Sequence, residues 1–386
     1  MRNTLRKTAL ASATLVAISA VSSAQAELRI NGFANLTAGM TTNDTEVYGF
    51  NDKVNFSDGS LFALQVSGQV NEKVSATAQI LSRGADNYSA EFEWAYLTYN
   101  IDSNNNLSAG RFRLPLFRYS ESLDVGYSYH WITAPRSVYN VPFNNINGIR
   151  FDHTGMMGDW DYAFQISAGE YSESVSGGTV TADALLAASF EASYEFFKVR
   201  LVTGRGNNNF SQAAVDSTVG ALRPIAPALA DSLALEDDSS LFLGAGFEYD
   251  NFNWFVSGEY TSVEIEDSFS PQDVAWYITA GKRFGKWTPH ITYETRDGNQ
   301  DIKFLDQIAA FPAEFQPSLT GAVAGLQGFF MEEFSILTVG ARYDWDASIA
   351  LKAEISRYDN KLDDIAGDIN NAEDTNLINL SVNYIF

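Results

Sequence analysis

Three arginines, Arg111, Arg113 and Arg118, crowd into the stretch Gly110–Trp131 of a chain that is otherwise strongly acidic. The same stretch then turns acidic at Glu121 and Asp124 and aromatic at Tyr127, Tyr129 and Trp131. Guanidinium groups facing carboxylates across a narrow wet gap would set up a local field that orients dipolar solutes. Such a gap needs walls, so the first question is which elements hold these charges.

Other chemistry is sparse. The histidines are His130, His153 and His290, and neither a zinc-ligand spacing nor a nucleophile beside a base accompanies them. Gly244-Ala245-Gly246 opens like a dinucleotide fingerprint, but Tyr249 stands where the third glycine belongs. No catalytic constellation, cofactor or metal site is expected. The acidic residues gather in long connections, Glu236 to Asp238 and Asp359 to Asp374, without the spacing of a calcium-binding loop. They read as a solvated surface, with bound divalent cations as the alternative.

Composition narrows the class. The chain has 48 acidic against 25 basic residues, a net charge of −23, and no cysteine. A surface of that sign repels phosphates, which argues against a nucleic-acid partner. Arg2, Arg6 and Lys7, the apolar run from Thr8 to Val21 and the pattern Ala24-Gln25-Ala26 form a secretory leader, residues 1–26. Export without cysteine excludes disulfide stapling. No apolar run long enough for a membrane helix follows the leader.

The dominant period in residues 27–386 is two. Leu28, Ile30, Ala34, Leu36, Ala38 and Met40 share one face, and Asn31, Asn35 and Thr37 the other. About sixteen such segments occur, joined alternately by very short and long connections. A sandwich also alternates, but short turns on one rim and long loops on the other describe a transmembrane antiparallel β-barrel. Fourteen or eighteen strands stay open, because the segments expected near 148–153 and 198–205 are short. Trp254, Trp276, Trp287, Tyr293, Tyr343 and Tyr384 fall near strand ends, where interfacial aromatics belong. The last segment places Ile378, Leu380, Val382, Tyr384 and Phe386 on one face and Asn379, Ser381 and Asn383 on the other. A terminus ending on an apolar aromatic must be built in, since the last strand closes the sheet against the first.

With this leader, strand rhythm, terminal Phe386 and long connection after the fifth strand, the chain resembles the Gram-negative porins, sixteen-stranded trimeric diffusion channels. The resemblance implies an outer-membrane location, a homotrimer and a third long loop folded into the barrel. It also implies that the barrel-assembly machinery reads the terminal strand at Val382, Tyr384 and Phe386. Residues 115–147 match the constriction loop in position. Arg111 and Arg113, two apart, are expected on one lumen-facing strand face, because an arginine toward lipid at mid-membrane costs about 2–4 kcal/mol. Phe112 and Leu114 would then face lipid. Arg83 and Arg150 are expected to join the arginines, with Glu121 and Asp124 opposing them across the pore. The competing readings are a solvated strand face for the arginines and an outer-rim position for the carboxylates. The aromatics Phe117, Tyr119, Tyr127, Tyr129, Trp131, Tyr139 and Phe143 read as packing for the loop, in preference to a sugar-stacking surface.

The functional expectation is passive diffusion of small hydrophilic solutes and ions. A substrate-selective channel for oligosaccharides or anions is the alternative, kept alive by the arginines. An outer-membrane hydrolase or a surface adhesin ranks lower.

Overall fold

The computed structural model describes residues 28–139, 141, 144–175, 178–266, 268–298, 301–328, 330–362 and 373–386. The expected leader 1–26 therefore lies outside the described residues, as do Phe143, Asp363, Asp364 and Asp368. Sixteen strands form one closed barrel in which each pairs antiparallel with its neighbours in sequence. They are β1 (Arg29–Thr41), β2 (Leu61–Gln69), β3 (Val74–Arg83), β4 (Ala90–Asn100), β5 (Asn105–Arg113), β6 (Asn145–Met157), β7 (Trp160–Val175) and β8 (Gly178–Tyr194). The second half comprises β9 (Phe197–Gln212), β10 (Asp238–Asp250), β11 (Trp254–Ile265), β12 (Asp273–Lys282), β13 (Trp287–Asp297), β14 (Glu333–Asp344), β15 (Ile349–Asn360) and β16 (Thr375–Ile385). The count of sixteen removes the fourteen- and eighteen-strand options.

Alternation explains both faces. On β16 the outward Leu380 is 58% exposed, whereas the inward Asn383 is fully buried. Leu337, Val339 and Ile355 continue the outward apolar band on β14 and β15. In a barrel these side chains meet lipid, and their exposure marks the membrane face. Closure uses the terminal residue: Gly32 and Phe386 exchange backbone bonds of 2.9 and 3.0 Å. The Phe386 ring lies against Gly32, where an added Cβ would stand 2.2 Å from it. Tyr384 stacks on Phe386 at 5.5 Å between centroids.

Strands 7 to 9 depart from expectation. Alternation predicts 160–170, 184–194 and 198–205, but these strands run on to 160–175, 178–194 and 197–212. The register shifts between Gly169 and Tyr171 and between Asp183 and Leu186, with Ala184 at a φ of 51°. A bulge adds a residue and breaks the period while pairing continues beyond it. β6 likewise exceeds the expected 148–153.

The long connections hold helices that strand periodicity gives no hint of. Residues 213–222 and 227–233 follow β9, and 305–309 and 316–327 follow β13. Val215, Val219 and Leu222, then Leu319, Val323 and Leu326, repeat at helical spacing and bury one face. With Leu229, Leu233 and Phe269 they form an apolar core on the long-loop rim, separate from the barrel interior.

Candidate functional site

The connection from Leu114 to Asn144 packs inside the barrel. Its apolar residues Leu116, Phe117, Trp131, Val138 and Tyr139 are buried against Phe242, Ala275 and Tyr277 of the wall. Phe117 meets Phe242 edge-on at 5.7 Å, and Trp131 meets Tyr277 edge-on at 5.5 Å. Of the aromatics read as packing, Phe117, Tyr119, Tyr129, Trp131 and Tyr139 join this core, whereas Tyr127 lines a cavity of the lumen. Strand alternation supplies Phe242, Ala275 and Tyr277 as inward residues, so a lumen face can carry an apolar patch where a loop covers it.

Polar wall residues hold the loop's backbone. Glu259 on β11 accepts the Arg118 N–H at 2.9 Å, the Tyr277 hydroxyl at 2.8 Å and the Tyr139 hydroxyl. Glu294 on β13 accepts the Ser137 N–H at 2.9 Å, and Glu354 on β15 accepts the Ile132 N–H at 2.8 Å. The loop's carbonyls meet cations: Arg342 donates to Tyr127 and Tyr129, and Lys352 to Gly126 and Trp131. Trp131 Nε1 reaches Thr292 Oγ1 at 2.8 Å. A loop in an aqueous lumen leaves many backbone groups without secondary-structure partners, and these wall groups satisfy them. Sequence reasoning missed Glu259, Glu294, Lys352 and Glu354. Their signal was present, since each is a charge on the polar face of a membrane strand.

The expected arginines occupy two places. Arg83, Arg111 and Arg113 line one cavity of about 440 Å³, together with Asp124, Glu91, Glu93 and Glu173. Arg150 instead pairs with Glu121 at 3.3 Å and Asp152 at 3.0 Å. The anticipated separation of charge across water is replaced by contact. Arg83 bonds Asp124 and Glu93 at 3.2 Å each and Glu91 at 3.0 Å. Arg113 bonds Glu93 at 2.8 Å and also Asp124, and Arg111 bonds Glu173 at 2.9 Å. Asp124 reaches the wall because the loop folds back over the strand it leaves, through short 3-10 turns at 120–122 and 126–128. Asn35 secures it by donating to the Asp124 carbonyl at 2.9 Å. Burial alone would raise the Asp124 carboxyl, but Arg113 and Arg83 outweigh it and hold the group below its ordinary range.

Phe112 and Leu114, expected toward lipid, are buried with the loop. Upstream, Gly110 takes a φ of 135°, and a Cβ there would sit 2.3 Å from the Ala95 carbonyl. Only glycine tolerates this approach, and beyond it Phe112, Arg113 and Leu114 are all buried in succession. Glu93 was overlooked as well. Its neighbour Phe92 is exposed on the outer face, so Glu91 and Glu93 point inward by alternation.

A second cavity of about 480 Å³ adjoins the short-turn rim and is lined by Arg118, Glu248, Asp250, Arg283, Arg342 and Asp344. Its charges are paired too, as in the two 2.7 Å bonds from Arg283 to Asp250. Tyr129 lines both cavities, which places the loop between an outer and an inner vestibule. His130, a loop residue on the inner-cavity side, is bonded to Thr279 at 3.0 Å, and burial with His290 nearby lowers its pKa. His153, a lumen or loop histidine by expectation, bonds Asn105 at 2.8 Å and Tyr162 at 3.0 Å near the short-turn rim. Among the described residues, no group of three or more His, Asp or Glu side chains is placed to hold a metal.

Solved structures share this architecture. An anion-selective porin from Comamonas acidovorans aligns with a TM-score of 0.60 at 12% identity, over 94% of this chain and all of that one. Salmonella typhi OmpF, solved with daunomycin, aligns with a TM-score of 0.59 at 12% identity, over 93% of this chain and 97% of that one. The trimer form of OmpT, an outer membrane protein of Vibrio cholerae, aligns at 0.57 with 10% identity, over 93% and 99% of the two chains. A search of curated proteins finds no match. At such identities the structural likeness speaks for the fold. The sequence itself matches the family model described as Gram-negative porin over residues 9–385. The chain thus belongs to the Gram-negative porin family, outer-membrane barrels that form aqueous channels for the passive diffusion of small hydrophilic solutes and ions.

Proposed function

We propose that the loop 114–144 sets the bore of this channel and that its ion pairs make the bore rigid. The carrying observation is the set of three wall carboxylates, Glu259, Glu294 and Glu354, each accepting a backbone N–H of the loop. Charges neutralised in contact exert a weaker field in the lumen than charges separated by water. The arginines Arg83, Arg111, Arg113 and Arg150, with Glu121 and Asp124, then act first as braces. Size selection dominates, and no chemical step accompanies passage.

Residues 1–26 are removed on export in this reading. Val382, Tyr384 and Phe386 guide insertion by the barrel-assembly machinery, and the outer rim meets lipopolysaccharide. The assembly is a homotrimer, which the trimer form among the similar structures supports. Planar-bilayer recording of purified protein tests the channel, and native electrophoresis before and after boiling tests the trimer. Current rising in groups of three equal steps is the expected result. Protein that inserts as a trimer but passes no current would overturn the reading.

A further inference from the structure

The cavity wall carries more carboxylate than arginine once its pairs are formed. Arg111 is matched by Glu173, while Arg83 and Arg113 face Glu91, Glu93 and Asp124. One arginine of the same cavity stands apart from these pairs. Arg136 opens the short helix Arg136–Tyr139 at the tip of the loop and lines the outer cavity. Among the described residues no carboxylate lies within ion-pairing distance of it. Its guanidinium instead lies over the Tyr48 ring, 4.3 Å from the centroid, and one N–H reaches the Tyr48 carbonyl at 3.5 Å. Glu294 and Asp58 act on it only through space, and Glu294 is engaged by the Ser137 N–H at 2.9 Å.

A guanidinium has five donors in a planar fork, suited to two oxygens of one carboxylate or phosphate. Stacking on an aromatic ring fixes the plane of the fork without consuming its edge donors. We infer that Arg136, and not the wall arginines, sets the ion preference of this pore by offering passing oxyanions a guanidinium that, among the described residues, no carboxylate pairs. This rests on the loop lining the conduction path. It reverses the expectation that the loop contributes the negative side and the wall the positive side. Without Arg136 the excess wall carboxylate would act alone, and the lumen would favour cations.

The test is reversal potential across a potassium chloride gradient for the full-length protein. Arg136→Gln should raise the potassium-to-chloride permeability ratio about fifteenfold, because a unit charge met at about 5 Å through water weights each ion about fourfold and in opposite senses. Removing a matched pair outside the cavities, Arg223→Gln with Asp231→Asn, should leave the ratio unchanged. Added inorganic phosphate should reduce the chloride current of the wild type and have less effect on Arg136→Gln. Arg136→Lys, which keeps the charge but not the fork, should preserve the ratio and lose the phosphate effect. The inference is overturned if Arg136→Gln conducts with the wild-type ratio, or if the pair removal shifts it equally. It also fails if phosphate acts alike on all four proteins. Channels that form no conductance in any variant, wild type included, would instead refute the channel reading.

Discussion

Truncating Glu259 should free the constriction loop more than any other single change on the wall. Its carboxylate receives three donors, and two of them, the Arg118 N–H and the Tyr139 hydroxyl, belong to the loop. Hydrogen bonds to a charged acceptor contribute about 1.5–3 kcal/mol each. The lower value applies to Glu259→Ala, because Arg118 borders the inner cavity and water can reach the vacated site. Two such bonds give a loss of about 3 kcal/mol in loop docking, or roughly a hundredfold in the ratio of docked to released loop. The assay is single-channel recording at fixed voltage. Brief closures and current noise should rise by about that factor, while barrel melting followed by electrophoretic mobility shifts little. Glu259→Gln keeps one acceptor oxygen and should fall between. Recordings of Glu259→Ala that match the wild type in conductance and noise would show that this carboxylate does not hold the loop.

Leu380→Arg places a guanidinium at the middle of the outward face of β16 and should destabilise the barrel by about 2–4 kcal/mol in urea unfolding from lipid vesicles, with Leu380→Met near neutral. An arginine tolerated there would mean the strand phase is wrong. Asp124→Asn should loosen the loop at neutral pH. Because Arg113 and Arg83 depress the Asp124 pKa in the folded state, its stabilisation is complete above the unfolded carboxylate value of about 3.9 and is lost as pH falls through the lower folded value. The melting difference between wild type and Asp124→Asn should thus persist down to about pH 4 and close below it. A difference that vanished between pH 7 and 5 would contradict the proposed bracing.

Alternation carried most of the architecture. A period of two survives wherever one face meets lipid and the other water, and β16 shows it without interruption from Ile378 to Phe386. It failed at places with physical causes. Bulges at Gly169 and Ala184 hid the outer halves of β7 and β8, and the backbone at Gly110 hid the burial of Phe112. Helices 213–222 and 316–327 were legible in principle, through Val215, Val219, Leu222 and Leu319, Val323, Leu326, but a search for period two leaves such stretches as plain loop. The arginines were found from their type and spacing. Glu121 and Asp124 were read as their opposing carboxylates, but Glu93 and Glu173 were not, because these lie on other strands and only the closed register brings them to Arg113 and Arg111. Charge pairing across a barrel depends on stagger, which one strand's sequence does not contain.

The absence of native cysteine allows a direct test of where the loop lies. Thr133 is exposed at the loop's tip and lines the outer cavity. Thr133→Cys, reconstituted in a planar bilayer and treated with a charged methanethiosulfonate, should lose a fixed fraction of its current in discrete steps, one per channel, reversed by a reducing agent. Complete labelling, verified by mass, that leaves the current unchanged would place the loop outside the conduction path and contradict the account.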